Sequence, residues 1–111
     1  MIMLTDADYD RVVTGSGHPV LLAFGRADDP GSAAMVPILT ALDKAFTGRL
    51  VTVIVDVPYC RSTAARWGIA RLPTLVVLRH GVAERVLRGV RPLPRLVREI
   101  TEVLTPAPSS R

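Results

Sequence analysis

Two uninterrupted apolar runs, Val20-Leu21-Leu22-Ala23-Phe24 and Leu75-Val76-Val77-Leu78, constrain the fold of this chain more than any other feature. Each has the length of a strand and neither alternates with polar residues, so each suits a strand covered on both faces. A sheet covered on both faces needs helices on both sides, and the residues around the runs supply them. Gly31 to Phe46 reads as a helix with Met35, Ile38, Leu39, Leu42 and Phe46 on one face. Pro37 lies inside it and is expected to kink it, since proline has no amide to donate to the preceding turn.

The remaining segments complete the pattern. Thr5 to Thr14 reads as a short helix with Thr5 as N-cap, Asp6 and Asp8 in a first turn favoured by the helix dipole, and Gly15-Ser16-Gly17 as its end. Leu50 to Val57 alternates through Val51, Val53 and Val55 and reads as a second buried strand. Arg61 to Trp67 forms a short helix before Gly68, Thr74–Leu78 and Glu84–Leu87 a hairpin around His80-Gly81, and Leu93 to Leu104 a last helix with Leu96, Ile100, Val103 and Leu104 inward. With right-handed crossovers this order gives an α/β fold, a mixed central sheet of four to five strands with helices on both faces. Residues 1–105 are read as a single domain and 106–111 as a disordered tail.

Composition narrows the function classes. At 111 residues and 49% hydrophobic, the chain is long enough and apolar enough for one packed core. No apolar run approaches the ~20 residues needed to cross a bilayer. Asp6, Asp8 and Asp10 stand where an export signal carries positive charge, so a cytoplasmic location is expected. The lone Cys60 rules out an intrachain disulfide. The net charge of +4 comes from thirteen arginines and one lysine against ten carboxylates. Arg91, Arg95 and Arg98 share a helix face by spacing, but Glu99 and Glu102 dilute them, and a solvated face is the preferred reading. Without aromatic residues between the basic ones, nucleic acid is not an expected partner. His18 and His80 have no neighbouring ligand set, so neither a metal nor another cofactor is expected.

In order and spacing the chain resembles the thioredoxin family. The run Pro19–Phe24, the loop Ala27-Asp28-Asp29-Pro30-Gly31-Ser32 and the Pro37-bearing helix match that family's strand, Trp-Cys-Gly-Pro-Cys loop and kinked helix. Trp67-Gly68-Ile69-Ala70-Arg71-Leu72-Pro73-Thr74 matches its Tyr-Gly-Ile-x-x-Ile-Pro-Thr segment, and Trp67 a core aromatic. The resemblance implies a thioredoxin-like fold with a cis-proline at Pro73. It also aligns the two redox cysteines with Asp29 and Ser32, the family's buried aspartate with Ala23, and the tryptophan at the base of the loop with Gly25. A carboxylate is stabilised at a helix amino terminus, as a thiolate is, but cannot exchange disulfides. No catalytic residue is therefore expected at the lost redox positions, Asp29 and Ser32.

The expected site is a partner-binding one: Asp28, Asp29, Pro30, Leu72 and Pro73. One aspartate before Pro30-Gly31 is accounted for by helix capping. The second would give the groove an acidic lip suited to an arginine-bearing ligand, or would be a second capping group. In the family the residue before the cis-proline pairs its backbone with a bound peptide, which Leu72 can do without cysteine; equally, the turn is retained for sheet geometry alone. Cys60 is read as structural, with a lone-thiol enzyme as the competing reading, because a helix amino terminus can lower a thiol pKa.

A narrower resemblance is to the HyaE/HupG/HoxO-type accessory proteins of nickel–iron hydrogenase maturation. It rests on Asp29-Pro30 after a short apolar strand, Phe46-Thr47-Gly48-Arg49-Leu50, and Leu87-Arg88-Gly89-Val90-Arg91-Pro92. It implies a chaperone for the hydrogenase small subunit or its twin-arginine signal segment before export. A generic docking module in another complex is the alternative.

Overall fold

The computed structural model describes residues 1–105; the expected tail, 106–111, lies outside the described residues. Eight regular elements occur in the order β1 (Ile2–Met3), β2 (Val20–Gly25), α1 (Pro30–Ala45), β3 (Val51–Asp56), α2 (Arg61–Arg66), β4 (Thr74–Arg79), β5 (Val82–Arg88) and α3 (Leu93–Leu104). The sheet has five strands in the order β1-β3-β2-β4-β5. β1, β3 and β2 run parallel, while β4 and β5 are antiparallel to their neighbours. The mixed sheet is the one expected.

Both central runs are covered on two sides. Leu22, Phe24, Val53, Val55, Val76 and Leu78 face a core closed by Leu4, Tyr9, Val12 and Val13, with Trp67 packed against it. Leu21, Ala23, Leu75 and Val77 face Met35, Leu39 and Leu42 of α1 and Leu96 and Ile100 of α3. Side chains alternate across the pleat, so one apolar run feeds both cores. The β4–β5 hairpin turns on His80 and Gly81, whose φ angles of 53° and 78° suit the primed two-residue turn.

Several local expectations are corrected. The amino-terminal segment is not an α-helix: Asp6–Asp8 forms a 3₁₀ turn and Asp10–Thr14 a π-helical turn. Thr5 makes no capping bond; its hydroxyl instead donates to Asp8 Oδ2 at 2.8 Å. Asp6 does not serve its own turn. Its carboxylate accepts from the Ser62 and Thr63 amides at 3.1 and 3.0 Å and from the Thr63 hydroxyl at 2.6 Å, capping α2 from 56 or more residues away. Those bonds, the Thr63 hydroxyl foremost, hold the Asp6 carboxyl below its ordinary pKa against the opposing effect of desolvation.

Strand β1 is too short to leave a sequence signature. β5 extends to Val82–Arg88, and Val57–Tyr59 is a 3₁₀ turn rather than the end of β3. Arg91 precedes α3 and so shares no helix face with Arg95 and Arg98; it folds back to Glu99 at 2.8 Å, where Arg95 also approaches at 3.8 Å. Glu102 pairs with Arg85 on β5. No described helix is long and apolar enough to cross a membrane.

Candidate functional site

The loop before α1 and the turn before β4 meet at one pole of the sheet. Proline at the first helical position pre-sets the φ of α1, and Asp29 before it has the extended backbone of an N-cap. Asp29 Oδ2 accepts from the Ser32 amide at 2.7 Å and from the Ser32 hydroxyl at 2.8 Å. Ser32 Oγ in turn accepts the Arg26 amide at 3.2 Å, so the hydroxyl ties both ends of the loop together. Gly25 lies against this pair: a Cβ on it would stand 2.9 Å from Ser32 Oγ, so the serine side chain would have to shift.

Asp28 behaves differently. Its carboxylate is exposed and receives both Nε and Nη2 of Arg26, at 3.1 and 3.2 Å. Of the two aspartates, one is therefore taken up by the helix cap and the other is matched by a cation two residues away. Arg26 was not among the expected site residues; its i,i+2 spacing to Asp28 in a loop is the signal that could have found it.

Leu72-Pro73 is a cis peptide, and Pro73 is buried. A Cβ on Gly31 would lie 2.9 Å from Pro73 Cδ and 3.3 Å from Val90 Cγ2, so the loop, the cis-proline and the Gly89-Val90 turn are in close contact. The Pro73 carbonyl accepts the Gly89 amide at 2.9 Å. Among the described residues the Leu72 backbone makes no hydrogen bond, and Leu72 is half-buried. Beside it, Arg71 and Arg88 are exposed and take part in no salt bridge among the described residues. They border a small depression of about 140 Å³ with Trp67, Val76 and Val86. Trp67 is half-buried, and its Nε1 donates to the Tyr9 hydroxyl at 2.9 Å.

Cys60 sits elsewhere. Its thiol is 1% exposed and donates to the Leu4 carbonyl at 3.1 Å. Burial, with the Asp6 carboxylate as the next cause, pushes the thiol pKa up rather than down. The helix that follows has only six residues, and its amino terminus is already satisfied by Asp6. A raised, buried thiol is the opposite of an activated nucleophile. Among the described residues, no three His, Cys, Asp or Glu side chains gather where a metal ion could be held.

The thioredoxin family model matches residues 1–102. The chain belongs to the thioredoxin family. It is 28% identical to a thioredoxin of Haemophilus influenzae over 92% of this chain and 95% of the relative. It is 30% identical to thioredoxin C-2 of Corynebacterium nephridii over 86% of this chain and 89% of the relative. A thioredoxin of Alicyclobacillus acidocaldarius is 28% identical over 91% of this chain and 95% of the relative. Within that family this member has one cysteine and hence no Cys-x-x-Cys pair; Asp29 and Ser32 stand at the ends of the loop.

Proposed function

We propose that this chain is a redox-inactive thioredoxin-family binding protein, cytoplasmic and not an enzyme, that receives an extended segment of a protein client beside Leu72 and Pro73. The observation that carries the reading is the unpaired Leu72 backbone next to a buried cis-proline, in a chain whose loop holds a carboxylate and a hydroxyl where a dithiol is needed. An unpaired backbone accepts a strand by main-chain hydrogen bonds, which need no cysteine. The Asp29–Ser32 hydrogen bonds tie the loop together, and a carboxylate and a hydroxyl supply no thiolate for exchange, which supports the reading.

The narrower reading is a maturation chaperone for the small subunit of a nickel–iron hydrogenase or its twin-arginine signal segment. Its support is the three short segments that resemble such proteins. Asp28 is the only one of the two aspartates able to meet an incoming arginine, because Asp29 is occupied by the cap. Releasing Asp28 from Arg26 costs little, since exposed ion pairs contribute roughly 0–1 kcal/mol. Arg71 and Arg88, however, repel a cationic segment that runs past Leu72. A titration of a twin-arginine peptide against the chain and its Asp28→Asn variant tests this: binding weakened by the substitution supports the chaperone reading, and unchanged affinity removes Asp28 from it. Loss of all extended-peptide binding on Leu72→Pro, with wild-type folding, supports the broader reading; undiminished binding overturns it.

A further inference from the structure

A cleft of about 300 Å³ opens between the first half of α1 and the carboxyl ends of β2 and β3. Its floor is core: Ala23, Met35, Leu39 and Leu75 are all nearly inaccessible. The space exists because the walls are small, with Gly25, Ala27 and Ala33 where larger side chains would fill it. Pro37 adds a polar feature, because without an amide at that position the Ala33 carbonyl has no i+4 donor. The remaining polar groups lie at the rim. Arg26 is matched by Asp28, and Ser32 is committed to the loop, but the half-buried Asp56 carboxylate has no salt bridge or hydrogen bond among the described residues.

We infer that this cleft is a binding site for a small amphiphilic amine, an aromatic or aliphatic body of about ten to twelve heavy atoms carrying one cationic head. The size follows from the volume: dry apolar cavities of about 150 Å³ take up benzene, and drug-sized pockets begin near 300 Å³. The sign of the head follows from the rim, where the lining carboxylate, Asp56, is unpaired among the described residues while the lining cation, Arg26, is already held by Asp28. An apolar body covers the floor, and the ammonium meets Asp56 through charge-assisted hydrogen bonds. Pro73 borders both this cleft and the proposed client site, but Leu72 does not line the cleft, and the inference does not depend on the client-binding reading.

The test is a titration of the isotope-labelled chain with tryptamine, indole and indole-3-acetate, followed by amide chemical shifts. Tryptamine is expected to bind with a Kd of about 10 µM to 1 mM, with shifts centred on Gly25, Ala33 and Asp56. Indole-3-acetate is expected to bind roughly tenfold more weakly, and Asp56→Asn to reduce that preference at least threefold. Ala33→Trp, at an exposed helix position, fills the mouth and weakens tryptamine at least tenfold while the spectrum stays folded. Absence of saturable shifts with tryptamine, equal or tighter binding of the acid, or wild-type affinity in a folded Ala33→Trp variant overturns the inference. The first of these would leave the cleft to a side chain of a protein partner.

Discussion

Replacing Asp29 with alanine isolates the role of this carboxylate. The substitution removes the acceptor for the Ser32 amide and hydroxyl, bonds of 2.7 and 2.8 Å. Loss of an N-cap costs about 1 kcal/mol, within a range of roughly 0.5–2. The nearly buried Ser32 hydroxyl also loses its acceptor, which adds about 1 kcal/mol at the low end of the range for an unsatisfied donor, because Oγ keeps the Arg26 amide. The sum is about 2 kcal/mol. With a urea slope of about 1.5 kcal/mol/M, the midpoint falls by about 1.3 M, and the thermal midpoint by about 8 °C. Asp28→Ala removes only an exposed pair with Arg26 and should cost less than about 0.5 kcal/mol. Asp29→Asn, which caps nearly as well, should stay within about 0.5 kcal/mol of wild type. Equal losses for the two alanine variants, or an Asp29→Ala variant as stable as the parent, would refute the division of labour between the two aspartates.

Further outcomes follow from other contacts. Gly31→Ala pushes a methyl to 2.9 Å from Pro73 Cδ, so overpacking should cost about 1–3 kcal/mol in the same urea assay. Thr52→Val should be neutral or stabilising by up to about 1 kcal/mol, since the buried Thr52 hydroxyl has no partner among the described residues. Because the Asp6 carboxyl has a lowered pKa when folded, its contribution is present above the ordinary carboxyl range and lost as pH falls through the folded value. The stability curves of the parent and Asp6→Asn should therefore differ at neutral pH and converge below about pH 4. Cys60 should resist a disulfide reagent at neutral pH and react stoichiometrically in denaturant, given its burial and raised pKa.

The fold was legible because its signals are long. Two unbroken apolar runs, a sixteen-residue helix with one apolar face and a hairpin on His80-Gly81 leave little choice of architecture. The amino terminus was misread because Thr5, Asp6 and Asp8 carry the composition of a capped helix. The same acidic side chains gain more by bonding elsewhere: Asp6 reaches α2, a contact across 56 residues that no local pattern encodes. Strand β1 owes its existence to pairing with Val53 and Ile54 rather than to its own two residues. At the site, the capping position and the cis-proline turn could be read from residue type and order. Which aspartate caps, and which is matched by Arg26, could not, because both have the same chemistry and differ only in where the backbone aims them. The cleft under Ala33 was invisible for a related reason: small residues in sequence say nothing of whether neighbours close over them.

The central claim is that a family frame is kept while the dithiol cycle is gone. Insulin reduction, followed by turbidity with dithiothreitol as electron donor, measures it most directly. The purified chain should leave the rate at the uncatalysed background at every concentration. A rate that rises in proportion to the amount of chain added, and is lost in Cys60→Ser, would contradict the account.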